Sequence, residues 1–272
     1  MSAVTDSDPF PGGELRATTC GRNSHIKLLT LSNPGARNAL SPAVYAAGIE
    51  AINHADSSAE IRAIVITGEG DTFCAGGNLQ RLLHNRTLPK RVQEASINGL
   101  HDWIEAITAC RKPVIAAIEG AAAGAGFSLA LCCDLIVSSR EAVYVMAYSS
   151  VGLSPDGGGS WQLARQLPKQ LATELLLTGD RISAERLHGL GVVNILTEKG
   201  HALTAALLLA EKLAARAPNV VASVKELIGQ APEQSLNVHL SAERDAFVRN
   251  LHHANGGEGI SAFLEKRTPR FL

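Results

Sequence analysis

The segment PVIAAIEGAAAGAGFSLALCCD, residues 113–134, does most to decide the fold. Its first six residues are apolar and rich in β-branched side chains, which predicts a buried strand. From Gly120 to Gly126 no side chain is larger than a methyl group, so a helix or a ligand can approach this backbone closely. A helix is predicted from Ala125 through Leu131, with its free N–H groups directed at whatever occupies the loop.

The same order of elements recurs on both sides of this segment. IRAIVIT, residues 61–67, predicts another buried strand and leads into the loop FCAGGNL, residues 73–79. Ser41 and Pro42 are typical of the first residues of a helix. Downstream, the loop SPDGGGSW, residues 154–161, leads into a further helix. Strands that alternate with helices favour the α/β class.

The chain divides into three predicted regions. Residues 1–20 are predicted to be a flexible lead-in, residues 21–200 an α/β core that carries the active site, and residues 201–272 a helical C-terminal region. A short strand is predicted at VVNIL, residues 192–196, and only helices after it, over 201–217, 220–229, 235–254 and 258–267. We expect the helical region to pack on the core or on a partner subunit.

Composition excludes several classes of protein. The 25 Lys and Arg residues balance 26 Asp and Glu residues, so nothing in the charge points to nucleic acid or to an anionic membrane surface. The charge-free stretches are shorter than the roughly 20 residues that a membrane span needs. The N-terminal residues lack the pattern of a signal peptide. Five cysteines without metal-binding spacing are expected to be reduced thiols, and we expect a cytoplasmic protein.

Three loops carry the candidate chemistry. The loops around Gly77 and Ala125 each follow a predicted buried strand and can offer backbone N–H groups, while Asp156 in the third loop is a candidate general base. Backbone donors that share one oxygen, together with a carboxylate, suit formation of an enolate beside a carbonyl. Taken singly, each loop also fits an ordinary turn or close helix packing. The dinucleotide, Walker and serine-hydrolase motifs do not match.

Five motifs, taken in order, resemble the crotonase superfamily, the enoyl-CoA hydratases and isomerases. They are RNAL at 37–40, FCAGG at 73–77, GAAAGAGFSLALCCD at 120–134, PDGGG at 155–159 and FLEKR at 263–267. The resemblance runs from about residue 25 to 270, and its motifs are closest to the phenylacetyl-CoA-pathway isomerase-like branch. It implies a spiral of ββα units over residues 21–200 and a helical C-terminal region that makes trimers, often paired into hexamers.

The resemblance also implies roles for single residues. The N–H groups of Gly77 and Ala125 are expected to hold the thioester oxygen, so that these two residues and Asp156 form the catalytic set. Coenzyme A is expected as part of the substrate, with no permanently bound cofactor and no metal. Residues implied to bind substrate are Arg37 and Ala39 along the path of CoA, Leu79 near the acyl pocket, Phe263 and Lys266 at the CoA of a neighbouring subunit, and Ala75, Gly76, Asn78, Gly124, Ser128 and Tyr148.

Two departures from the family pattern favour isomerisation over hydration. Family hydratases hold a water with two glutamates, and the matching positions here are Ser128, six residues before Asp134, and Tyr148, eight residues before Asp156. Serine and tyrosine do not act as general bases near pH 7 without strong activation. Asp156 stands where dienoyl-CoA isomerases, phenylacetyl-CoA-pathway isomerases and certain dehalogenases keep a catalytic aspartate. One carboxylate is enough to shift a double bond.

Other readings of the same residues stay open. One is a hydratase or ring-opening hydrolase acting on an unsaturated ring CoA thioester in aromatic-acid catabolism. Dehalogenation by Asp156 needs an aryl-stacking pocket, in a chain with 4% aromatic residues. A third reading is a non-catalytic acyl-CoA-binding protein. His84 and His101 are candidate proton carriers at the acyl pocket, although a surface or helix-packing role is favoured for both.

Overall fold

Two β-sheets organise the part of the chain that the structure, a computed structural model, describes: Phe10 and residues 12–272. The predictions for residues 1–9 and 11 lie outside the described residues. The strands in chain order are β1 (Glu14–Cys20), β2 (Ile26–Ser32), β3 (Ala63–Gly68), β4 (Val114–Ile118), β5 (Ala121–Ala123), β6 (Leu135–Ser139), β7 (Val143–Val145), β8 (Arg181–Ser183) and β9 (Ile195–Thr197).

Both sheets are mixed. The six-stranded sheet has the order β1-β2-β3-β4-β6-β9, in which β1 is antiparallel to β2 and the other pairs are parallel. The three-stranded sheet has the order β5-β7-β8, with β5 parallel and β8 antiparallel to β7. β5 lies inside the predicted Gly120–Gly126 loop, because Ala121–Ala123 pair with β7.

Helices separate and cover the strands. They are α1 (Pro42–Ser57), α2 (Leu79–Asn85), α3 (Lys90–Ala109), α4 (Ala125–Cys132), α5 (Gly159–Gln166), α6 (Lys169–Thr178), α7 (Ala184–Gly189), α8 (Ala202–Ala214), α9 (Pro218–Gln230), α10 (Leu236–Leu251) and α11 (Ala254–Leu264). None of the helices among the described residues is long and apolar enough to cross a membrane.

The chain repeats one unit, in which a strand joins each sheet before a helix follows. β4 joins the large sheet, β5 joins the small one and α4 comes next; β6, β7 and α5 repeat this order. This is the spiral of ββα units that the resemblance implies. Because β3 and β4 are adjacent and parallel, the loops that follow them emerge at the same edge of the large sheet.

Apolar side chains fill both faces of the large sheet. One face carries the main core, which includes Trp103 of α3 and Phe127 of α4, both fully buried. The other face is covered by α8, whose fully buried Ala206 and Ala210 pack beside Val65. Alanine at every fourth position of α8 lets the helix backbone approach the sheet closely. The helix that the sequence placed at the start of the C-terminal region therefore belongs to the core packing.

The secondary structure differs from the sequence analysis in three places. Residues 14–20, assigned to the lead-in, form β1, whose mostly exposed side chains hide the alternation typical of a strand. The strand predicted at 192–196 is present as β9 but begins three residues later, at Ile195–Thr197. The elements α6, β8 and α7 were not predicted, because short amphipathic pieces between loops carry little periodic signal. The five cysteines are free thiols, as expected.

Candidate active site

The loops after β3 and β4 run side by side. Cys74 N–H donates to the carbonyl of Ala121 at 3.0 Å, and Ala123 N–H donates to the carbonyl of Cys74 at 2.9 Å. Cys74 and Ala122 thereby form a short parallel bridge. These hydrogen bonds extend the alignment of β3 and β4 into the loops, so the two glycine-rich motifs meet although they are distant in sequence.

Glycine is required where the two loops touch. Gly76 has φ +86°, and a Cβ on it would lie 2.6 Å from the carbonyl oxygen of Ala123 and 3.2 Å from the backbone nitrogen of Ala125. A Cβ on Gly126 would lie 2.5 Å from the carbonyl oxygen of Cys74. The distances of 2.6 Å and 2.5 Å are too short for real side chains, so the small residues of the two motifs allow the close approach.

Two residues that line one cavity have backbone N–H groups with no acceptor among the described residues. Neither the Gly77 N–H nor the Ala125 N–H donates to an acceptor within the described part of the chain, and both residues line the same cavity. Ala125 is the first residue of α4, where an N–H group has no intrahelical acceptor. Two free donors at the edge of one cavity suit an oxygen that gains negative charge.

The cavity itself has a volume of 380 Å³ and mostly apolar walls. Leu79 and Leu82 come from α2, Ile97 from α3, and Val151 and Leu153 from the loop before α5. Of the residues predicted for the site, the cavity brings together Ala75, Gly77, Leu79, Gly124, Ala125, Tyr148 and Asp156. The catalytic set predicted from the sequence therefore shares one cavity.

Asp156 is half-buried in this cavity and is held by one strong hydrogen bond. The hydroxyl of Tyr148 donates to Asp156 Oδ1 at 2.6 Å. Burial raises the pKa of the Asp156 carboxyl, while the bond from Tyr148 and the nearby His101 act in the opposite direction. No described residue donates a hydrogen bond to Oδ2, which leaves that oxygen available to take up a proton.

Asp156 is also the only Asp or Glu among the described residues that line the cavity. The thiol of Cys74 lies beneath the site, but burial raises its pKa to about 12, so it is not an active nucleophile. The arrangement thus offers two backbone donors for an oxyanion and one carboxylate for proton transfer.

The family model described as enoyl-CoA hydratase/isomerase matches residues 21–272. The chain belongs to the enoyl-CoA hydratase/isomerase family. It is therefore an enzyme of the enoyl-CoA hydratase/isomerase type, of the crotonase superfamily, and acts on acyl-CoA thioesters.

Two relatives named for different activities have the same sequence identity to this chain. The 2,3-dehydroadipyl-CoA hydratase of Escherichia coli (strain K12) is 34% identical over 251 residues, which are 92% of this chain and 96% of the relative. The 1,2-epoxyphenylacetyl-CoA isomerase of the same organism is 34% identical over 247 residues, 90% of this chain and 94% of the relative. Identity alone therefore does not separate hydratase from isomerase.

The fold agrees with a solved structure at higher identity. The crystal structure of an enoyl-CoA hydratase from Polaromonas sp. JS666 is 61% identical, with a TM-score of 0.93 over 96% of this chain and 100% of that chain. The α/β crotonase fold with its two mixed sheets and helical C-terminal region is thus confirmed.

The other predicted substrate residues lie outside the cavity. Gly76 and Asn78 have local roles, Gly76 at the contact of the loops and Asn78 as the N-cap of α2, accepting two backbone N–H groups. Ser128 is fully buried beneath the third loop. The remaining four are Arg37, Ala39, Phe263 and Lys266. Arg37 is exposed and has φ 52°, Ala39 is buried, and Phe263 and Lys266 are exposed at and just after the end of α11.

Helix α3 contributes three wall residues, of which the sequence singled out only His101. Gln93, Ile97 and His101 are spaced by four residues and all line the cavity. For His101 a surface or helix-packing role is favoured over that of a proton carrier at the pocket, yet the structure places it on the cavity wall, close enough to Asp156 to influence the pKa of that carboxyl. The spacing of the three residues was the available signal, but it does not tell which face of α3 meets a cavity.

Proposed function

We propose that the protein is an enoyl-CoA isomerase in which Asp156 is the single acid and base. The observation that carries the proposal is that, within the described lining, one carboxylate shares the cavity with two free backbone N–H groups. Water activation in the manner of family hydratases needs two glutamates, and Ser128 and Tyr148 occupy their positions. A one-carboxylate site instead suits the transfer of a proton between two carbons of the acyl chain.

The proposed reaction moves one proton and one double bond. In a 3-enoyl thioester, Asp156 Oδ2 takes a proton from C2, and the released electron pair forms a dienolate whose charge rests on the thioester oxygen. The N–H groups of Gly77 and Ala125 donate to that oxygen. Asp156 then returns the proton to C4, the double bond moves to C2–C3, and the carboxylate is regenerated.

Two assays and one variant test this mechanism. The protein should convert trans-3-hexenoyl-CoA to the conjugated 2-enoyl thioester and leave crotonyl-CoA unhydrated. Asp156→Asn should still bind the thioester but lose turnover by about a hundredfold to ten-thousandfold, the usual contribution of a general acid–base group. Asp180→Asn, which changes an exposed carboxylate outside the cavity, is the control. Full activity of Asp156→Asn would remove Asp156 from the mechanism.

A hydratase or ring-opening hydrolase is the second candidate, and His101 is the observation that favours it. The imidazole ring of a histidine can accept a proton and so activate a water. Its place on the cavity wall beside Asp156 gives the site a second proton carrier. Hydration of crotonyl-CoA that disappears in His101→Gln, with no conjugation of the 3-enoyl thioester, would support this candidate and contradict the isomerase.

We further propose that the C-terminal helices join subunits into a trimer or hexamer. Helices α9, α10 and α11 border an apolar groove of 780 Å³. Several apolar side chains on these three helices are largely exposed: Ile228 by 69%, Phe247 by 69% and Phe263 by 84%. In such an oligomer Phe263 and Lys266 can reach the CoA of a neighbour, while Arg37 and Ala39 line the CoA path of their own subunit. A light-scattering mass of one chain would contradict the proposal.

A further inference from the structure

We propose that Ser128 and Tyr148 together hold Asp156, and that Tyr148 is a positioning residue that leaves only Oδ2 free to exchange the proton. The inference rests on the proposed isomerase mechanism and deepens it. These are the two positions at which family hydratases carry glutamates. In this chain both side chains instead contact the one carboxylate residue that remains in the cavity.

Tyr148 holds the side chain of Asp156. Its hydroxyl lies 2.6 Å from Asp156 Oδ1, and the residue is buried. Burial and the neighbouring Asp156 carboxylate raise the pKa of the Tyr148 hydroxyl above its ordinary value. The hydroxyl therefore keeps its proton at neutral pH and acts as a permanent donor, which fixes the carboxylate in one orientation.

Ser128 holds the main chain of the same residue. Its Oγ donates to the backbone carbonyl of Asp156 at 3.0 Å, and the side chain is fully buried. The third loop packs directly on this serine, because a Cβ on Gly159 would lie 2.6 Å from Ser128 Oγ. Backbone and side chain of Asp156 are thus fixed by separate hydrogen bonds.

Tyr148 also connects the base to the oxyanion donors. A Cβ on Gly124 would lie 3.6 Å from Cζ of Tyr148, so the aromatic ring packs against the residue that directly precedes Ala125. Gly124 is held from the other side, since its N–H donates to the carbonyl of Val145 at 2.8 Å. One side chain therefore fixes the separation between the carboxylate and the Ala125 N–H. Pre-set spacing of this kind is what makes proton transfer beside a bound oxyanion efficient.

The titratable groups that face Asp156 define the expected pH effect. They are Tyr148, His101 of α3 and Tyr45 of α1, whose own pKa is raised by burial and by the Asp156 charge. The bond from Tyr148 favours the ionised carboxylate, so its loss raises the pKa of Asp156. Because the base must be ionised to act, the acid limb of the kcat profile then moves to higher pH. His101 and Tyr45 stay in place in the variant and do not account for the difference.

Tyr148→Phe in the full chain is the test, because it removes only the hydroxyl. We expect kcat to fall about tenfold to a hundredfold, as for a hydrogen bond to a charged group, with KM little changed and the acid limb at higher pH. Tyr144→Phe is the matched control. Tyr144 is fully buried on β7 and donates to Ser138 Oγ at 2.8 Å, but it does not line the cavity. It should lose stability without any change in kcat or pH profile.

Kinetics that agree between Tyr148→Phe and Tyr144→Phe would overturn the positioning role. Ser128→Ala gives a second measurement and should lower kcat while thioester binding persists; wild-type kcat there would remove Ser128 from the proposal. Asp156→Asn tests the isomerase mechanism separately from the positioning role of Tyr148. If that variant is inactive and Tyr148→Phe is not impaired, the positioning role alone fails; if Asp156→Asn is active, the isomerase mechanism fails as well.

Discussion

Replacing Gly76 with alanine tests whether the contact between the two loops sets the position of the oxyanion donors. The new Cβ would stand 2.6 Å from the carbonyl oxygen of Ala123, whereas ordinary van der Waals contact begins at 3.4 Å. The loop around Ala123 must therefore retreat by about 0.8 Å, and Ala125 moves with it. A displacement of about 1 Å in a catalytic group costs about a hundredfold in rate. We expect Gly76→Ala to lower kcat by roughly this factor.

The measurement uses whichever thioester the wild-type protein turns over, with kcat and thioester binding determined on the same preparation. Gly70→Ala is the control, because Gly70 has a similar φ of +73° but nothing within 4 Å of its Cβ position. Both variants carry the cost of a left-handed backbone at a residue with a side chain, about 1–2 kcal/mol. Only Gly76→Ala adds the contact with the neighbouring loop.

Gly76→Ala should therefore be the less stable of the two variants in thermal unfolding, because of the added clash, and only Gly76→Ala should lose kcat. If Gly76→Ala turns over substrate as fast as Gly70→Ala, the spacing of Gly77 and Ala125 does not depend on this contact. The reasoning that derives the oxyanion site from the close approach of the loops would then be refuted.

Two further predictions concern stability. Lys225→Met removes the ammonium group that lies 2.7 Å from Asp134 Oδ2. The free energy of unfolding in denaturant should fall by about 3 kcal/mol, near the lower end for a buried ion pair, because the Asp134 side chain is 28% exposed. A loss below about 1 kcal/mol would match a surface ion pair instead. Arg267 lowers the pKa of Glu258 from 4.5 to about 2, so this pair stabilises the fold fully above pH 4.5 and loses its contribution as the pH falls toward 2. The stability difference between wild type and Arg267→Gln should therefore disappear over that interval, and a difference that persists at pH 2 would argue against the pair.

Local signals in the sequence were sufficient for several features of the fold. Ser41 was expected to cap α1, and its side chain accepts the Val44 N–H at 3.4 Å. Asparagine is a favoured N-cap residue, and Asn78 Oδ1 accepts N–H groups from Gln80 and Arg81 at the start of α2. Caps and turns are readable because their partners lie within four residues along the chain.

Features that depend on partners far apart in the sequence could not be predicted. The neighbour of β6 in the sheet is β9, which lies more than fifty residues further along the chain. The cavity face of α3 depends on how that helix packs against α1 and α2, so the role of His101 could not be chosen from spacing alone. Strand β1 is mostly exposed and lacked the alternation that identifies a strand.

The candidate site, too, was predictable in part from the sequence. The resemblance identified Gly77, Ala125 and Asp156, and these residues line one cavity. It also marked Ser128 and Tyr148 as departures from the glutamates of hydratases. Where their hydroxyls would point was not predictable, because the direction depends on the packing of the third loop against α4.

The presence of one carboxylate residue, Asp156, in the described cavity lining has a stereochemical consequence. If Oδ2 alone takes and returns the proton, both transfers occur on the same side of the planar dienolate, and the shift is suprafacial. The proton that leaves C2 is then the one that arrives at C4, unless it exchanges with solvent in between. Product formed in deuterium oxide would carry less than a full deuterium at C4, with a single configuration at the labelled carbon. The side of the acyl chain on which Asp156 lies would in this way determine the chirality of an isotopically labelled product.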